Sequence, residues 1–74
     1  MSNPKFSIEE LNVLTKVADE ISHAKDESAI NKIYRQARNW SRYHCYYAEA
    51  CSPSTCRELN RKFALYKNLA VQAL

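Results

Sequence analysis

The sequence predicts an all-α protein: a compact three-helix bundle in which an antiparallel helical hairpin is followed by a third, C-terminal helix. Three observations carry this expectation. The 74 residues contain no glycine, which removes the tight hairpins and positive-φ turns on which β proteins rely. Proline occurs only at positions 4 and 53, so the chain between them has no built-in breaker. Three start signals, at Ser7, Asp26 and Ser52, are each followed by apolar residues at helical spacing.

The first signal is the most complete. In FSIEEL, Ser7 can cap the helix while Glu10, three residues on, returns to the Ser7 N–H; Phe6 and Leu11 occupy the positions of a hydrophobic staple. Leu11, Val13, Leu14, Val17, Ala18, Ile21 and Ala24 then fall on one side at about 100° per residue. Glu9, Asn12, Lys16, Asp19, Glu20 and His23 fall on the other. The first helix is expected over residues 7–24.

Asp26 is the next cap, with Glu27 well placed beside the positive end of the helix dipole. The second helix is expected to run without a break to about residue 50. Its core stripe would be Ile30, Ile33, Tyr34, Ala37, Trp40, His44, Tyr47 and Ala48, with Trp40 largely buried. The link from the first helix is so short that the two must form an antiparallel hairpin. The segment CSPST ends the second helix. Ser52 can cap the third and Pro53 suits its first position, while Thr55 with Glu58 forms an alternative capping box. The third helix would present Cys56, Leu59, Phe63, Tyr66, Leu69, Ala70 and Ala73 inward. The whole chain, residues 1–74, reads as a single domain with a short tail over residues 1–6, and it contains no internal repeat or linker.

Composition narrows the function. An apolar fraction of 46% with 26% charged residues is that of a globular chain, which argues against wholesale disorder. The lack of glycine excludes both Gly-rich phosphate loops, the dinucleotide fingerprint and the Walker type. No run approaches the roughly 18 apolar residues of a membrane span, and the N-terminus lacks a basic segment followed by an apolar one. A cytoplasmic protein with no membrane partner is therefore expected.

The stretch RQARNWSRYHCYYAEACSPSTC, residues 35–56, crowds arginine, aromatic, histidine and cysteine side chains together. A zinc site is the sharp interpretation, with ligands drawn from His44, Cys45, Cys51, Cys56 and His23. Helical geometry opposes it: His44 and Cys45 point about 100° apart. His44 and Cys51 lie roughly 10 Å apart along the axis, while zinc ligands each sit about 2.0–2.3 Å from the metal. There is no C-x-x-C pair. No metal and no cofactor are expected. Cys51 and Cys56 instead occupy staple positions around the Ser52 cap, where two thiols can pack as small hydrophobes. A Cys51–Cys56 disulfide is conceivable but is expected to be absent in a reducing cytoplasm, with Cys45 left as the odd cysteine. Catalysis lacks a constellation: neighbouring His44 and Cys45 cannot pair, and Glu9 and Glu10 are explained by the first helical turn. No catalytic residue is assigned, and no enzyme activity is expected.

A basic face remains. Residues 1–28 carry three lysines against six acids, a net −3, whereas residues 29–74 carry eight Lys or Arg against two acids, a net +6. On the second helix Lys32, Arg35, Arg38, Arg42 and Tyr46 lie on one side, with Asn39 and Tyr43 beside them. No acid occurs between Glu27 and Glu49 to pair with them along the helix. Guanidinium groups fork onto carboxylates or phosphates, and tyrosines supply rigid amphipathic contact area. Lys32, Arg35, Arg38, Arg42, Tyr43 and Tyr46 are thus the candidate partner-binding residues. Arg57, Arg61 and Lys62 could extend the field along the third helix.

The expected function is a small non-catalytic interaction module, an adaptor or inhibitor of the kind that phages and mobile elements use as regulators. Its partner would be a macromolecule with an acidic surface. Protein is favoured over nucleic acid, because a net charge of +3 is modest for a nucleic-acid binder and no helix-turn-helix is evident. The competing interpretation, a nucleic-acid-binding protein, uses the same face on phosphates. The charge split also allows a blander reading, in which the acids of the first helix neutralise that face. Leu65, off the main apolar stripe, allows either a monomer or a homodimer.

Overall fold

The computed structural model describes residues 6–47 and 53–74, with Tyr47 described as backbone only. Three α-helices follow one another: α1 (Ile8–Ser22), α2 (Glu27–Arg42) and α3 (Pro53–Gln72). Each packs against the other two, and the described residues contain no strand, so the three-helix bundle expected from the sequence is the fold. The start of α1 meets the end of α2 through Glu10 and His44, and the end of α2 meets the start of α3 through Ser41 and Cys56. The helices therefore run up, down and up.

Local chemistry sets both described helix starts. Ser7 is the N-cap of α1, and the capping box is complete. The Glu10 N–H donates to Ser7 Oγ at 3.2 Å, and the Ser7 N–H donates to Glu10 Oε1 at 2.7 Å. Asp26 caps α2, its Oδ1 accepting from the Ala29 N–H at 2.8 Å. α3 begins at Pro53, as the fixed φ of proline favours. Thr55 therefore lies inside the helix, buried, and the alternative Thr55–Glu58 box does not start it. The Ser52 cap and the Cys51 half of the expected thiol staple lie outside the described residues.

The core is Leu14, Val17 and Ile21 from α1, Ile30 and Ala37 from α2, and Leu59 and Phe63 from α3. Several expected core positions differ. Leu11 is 49% exposed, because Glu10 takes the inward position at the first turn of α1. Leu69, 56% exposed, and Ala73 stand at the open end of the bundle. The 20 residues of α3 reach about 30 Å, whereas the 15 of α1 reach about 22 Å, so the last turns of α3 outrun their cover. Trp40 is half-buried rather than enclosed. Its indole stacks on the His44 imidazole, with centroids 4.6 Å apart and planes 14° from parallel.

α2 also ends otherwise than expected. Within the helix expected to run to about residue 50, the backbone passes at Tyr43 into a π-helical turn, Tyr43–Tyr47; residues 48–50 lie outside the described residues. The path stays helical, with Tyr43 at φ −60° and ψ −47°, so the change is one of hydrogen-bond spacing and not a break. Such wide turns are rare and commonly sit where a side chain is held by a special demand. Here the demand is visible. His44, 5% exposed, bonds through Nε2 to Oε2 of Glu10, itself 2% exposed, at 2.9 Å. A carboxylate only accepts, so Nε2 is the donor.

Two measurements check this architecture. Phe63→Ala should cost about 3–5 kcal/mol in urea unfolding, and Trp40→Ala clearly less, since the indole keeps one side in water. Equal costs would contradict the half-buried placement. In a double-mutant cycle, Glu10→Ala alone should cost about 2–4 kcal/mol, through the lost cap bond and the stranded imidazole. Glu10→Ala with His44→Ala should then be less damaging than the sum of the two by about 1–3 kcal/mol. An additive cycle would mean that the pair contributes no coupling.

Candidate docking surface

The inward stripe of α2 sets what its opposite side shows. With Ile30, Ala37 and Ser41 turned to the core, Lys32, Arg35, Arg38 and Arg42 all project into water. The π turn carries the surface on, with Tyr43 at 64% and Tyr46 at 75% exposure. All six residues expected to form the face are therefore exposed. His44, between the two tyrosines, faces inward and anchors the turn that displays them.

The face is not flat. Asn31, Arg35, Arg38, Asn39 and Arg42 of α2, with Lys67 of α3, line a groove of about 430 Å³. Tyr34 forms part of its wall. It was expected in the core stripe but is half-buried, with two cations on its ring: Arg38 Cζ lies 5.8 Å and Lys67 Nζ 4.9 Å from the centroid. Cations over an aromatic face are held by the ring quadrupole, which restrains both side chains. A second depression shares Tyr34 and Arg38 and adds Arg57, Glu58 and Arg61 of α3. A third shares Asn31 and Arg35 and leads towards Lys32 and Glu27. The three adjoin, making one basic surface across α2 and α3. Sequence reasoning anticipated Arg57 and Arg61 but missed Lys67. The signal was available: Lys67 follows core Phe63 by one turn, which sets its stem beside α2.

Neutralisation by the acids of α1 does not occur among the described residues. The contacts of carboxylates with basic side chains there are His44–Glu10 inside the bundle at 2.9 Å, His23–Asp19 on α1 at 3.6 Å and the ion pair Arg61–Glu58 on α3 at 3.5 Å. None involves a cation of α2. Glu10, one of the acids of α1, is consumed by the capping box and His44.

Cys45 departs from its expected place as the odd, unpaired cysteine. Cys45 is disulfide-bonded and Cys56 is a free thiol, so a Cys51–Cys56 bridge is not formed. Cys56 faces α2, with its sulfur 3.6 Å from Ser41 Oγ and 3.9 Å from the Asn60 amide nitrogen. Among the described residues, no three His, Cys, Asp or Glu side chains group as metal ligands, and no helix is long and apolar enough to cross a membrane.

An apolar groove of about 420 Å³ opens at the other end, between α1 and the overhanging turns of α3, lined by Ala18, Ile21, Ala24, Leu69 and Ala73. Leu65, 51% exposed, stands on the same helix.

No family model, no curated protein and no solved structure matches this chain.

Proposed function

We propose that this domain is a non-catalytic interaction module that docks on the acidic surface of a macromolecular partner, a protein in the first instance. Lys32, Arg35, Arg38, Arg42, Tyr43 and Tyr46 would make the contact. The observation that carries this reading is the exposed cationic stripe of α2 with no carboxylate paired to it among the described residues. An adaptor or inhibitor, as a monomer or a homodimer, fits such a surface. The paired Glu10 and His44 do not favour catalysis, since both are buried and each already holds a partner.

Nucleic acid is the second reading, and one observation favours it. The basic depressions continue from α2 onto Arg57 and Arg61 of α3, a wider footprint than one helix face.

Poly-L-glutamate, duplex DNA and single-stranded RNA, each titrated against salt, test the proposal. Wild type should bind poly-L-glutamate. The combined variant Arg35→Glu, Arg38→Glu and Arg42→Glu should bind it about 100-fold more weakly. Its melting temperature should change little, because exposed charges contribute little to stability. Undiminished binding by that variant would remove the face from consideration. Tighter binding to DNA or RNA than to poly-L-glutamate, falling steeply with salt, would put the second reading first.

A further inference from the structure

Given the docking face proposed above, on which this inference rests, we infer that its occupant is an acidic α-helix of a protein partner. The helix would carry a single stripe of carboxylates, seated in the groove between α2 and α3 with an apolar end against Tyr43 and Tyr46.

The spacing of the cations points to a helix. Arg35, Arg38 and Arg42 follow one another at three and four residues, on a rod that rises about 1.5 Å per residue. They present three guanidinium groups over roughly 10 Å. Carboxylates at the same three- and four-residue spacing on a second helix repeat with the same pitch, so each guanidinium meets one acid without distortion. Lys67 closes the far wall of the groove, and the Tyr34 ring holds it and Arg38 in place before any partner arrives. Restraint of this kind lowers the ordering cost of binding.

The limits of the basic field argue for carboxylates over phosphates. Glu27 stands in the depression at the start of α2, and Glu58 in the one on α3, where it is already paired with Arg61. Four cations without a carboxylate partner, Arg35, Arg38, Arg42 and Lys67, thus stand together in the central groove, whereas Lys32 and Arg57 share their depressions with Glu27 and Glu58. A nucleic-acid strand carries a charge about every 3.4 Å along its whole length and would run on past these acids. A helix charged along one stripe can stop where the field stops. Beyond Arg42 the surface changes from cationic to aromatic, with Tyr43 and Tyr46 exposed, so the matching helix exchanges its acids for apolar side chains there.

Two synthetic helical peptides of identical composition test the inference. In one, glutamates form a single stripe that ends in leucines; in the other, the same residues are scattered around the helix. Fluorescence anisotropy should show the striped peptide binding about tenfold tighter than the scattered one. Lys67→Glu should erase most of that preference with the melting temperature held within a few degrees of wild type. Arg38→Glu is the second variant, should Lys67→Glu fail to fold. Equal binding of the two peptides, weak or strong, would overturn the inference. So would displacement of the striped peptide by single-stranded RNA at equal charge concentration, or a preference that survives both variants. Binding of poly-L-glutamate with no discrimination between peptides would sink the helical partner and leave the docking face standing. Failure of wild type to bind any polyanion would remove the face itself.

Discussion

One buried carboxylate ties the ends of this bundle together. Glu10 Oε1 accepts from the Ser7 N–H, and Oε2 accepts from His44 Nε2, 34 residues further along the chain. The first contact fixes where α1 begins; the second fixes where α2 ends. Neither oxygen is left with water as its alternative, since the side chain is almost wholly enclosed. A carboxylate in that position without donors would be strongly unfavourable, which makes the register of the two helices nearly all-or-none. His44 passes the constraint on through its stack with Trp40. The π turn supplies the reach, and its two outward tyrosines flank a residue that is itself buried.

A polar tie of this kind matters more in a small core. Leu59, Phe63 and Ile30 are the only large apolar side chains below 2% exposure among the described residues, and the packing thins towards the end of α3. Chains of this size bury a smaller share of their surface than larger domains, so the margin of stability is narrow. Apolar contact holds the middle of the bundle. The capping box, the Glu10–His44 bond and the Asp26 cap hold the ends.

The parts of this arrangement written in neighbouring residues were legible in the sequence. Ser7 with Glu10, Asp26 with Ala29, and Pro53 at a helix start are local stereochemistry, and the periodicity of Leu14, Val17 and Ile21 needs no knowledge of the rest. The missed features all depend on distant partners. Glu10 had a sufficient local explanation in the capping box, so nothing signalled that its second oxygen would hold His44. Leu11 lost its inward place for the same reason. Tyr34 fitted the apolar stripe of α2 by angle alone; only the position of Lys67 on α3 makes it a groove wall. The π turn cannot be read from propensity, because it answers to the demand made on His44. The six residues of the face were visible because exposure of one side of α2 follows from burial of the other. The groove was not, because it needs α3.

The same face works against the helix that carries it. Lys32 with Arg35, Arg35 with Arg38, and Arg38 with Arg42 are like-charge neighbours at three- and four-residue spacing. Each such pair weakens a helix by about 0.2–0.5 kcal/mol, or about 1 kcal/mol together. Local features offset part of this: Asp26 and Glu27 at the positive end of α2, Arg42 near the negative end, and the Tyr34 ring beneath Arg38. The remainder stays as repulsion along an otherwise unneutralised stripe, and a carboxylate-bearing occupant would relieve it at the moment of contact. Binding at this face and stability of α2 are then linked quantities, since whatever binds only the folded helix also stabilises it. The linkage extends to the π turn. Tyr43 and Tyr46 share their backbone with His44, so an occupant reaching them bears on the same turn that Glu10 holds from inside.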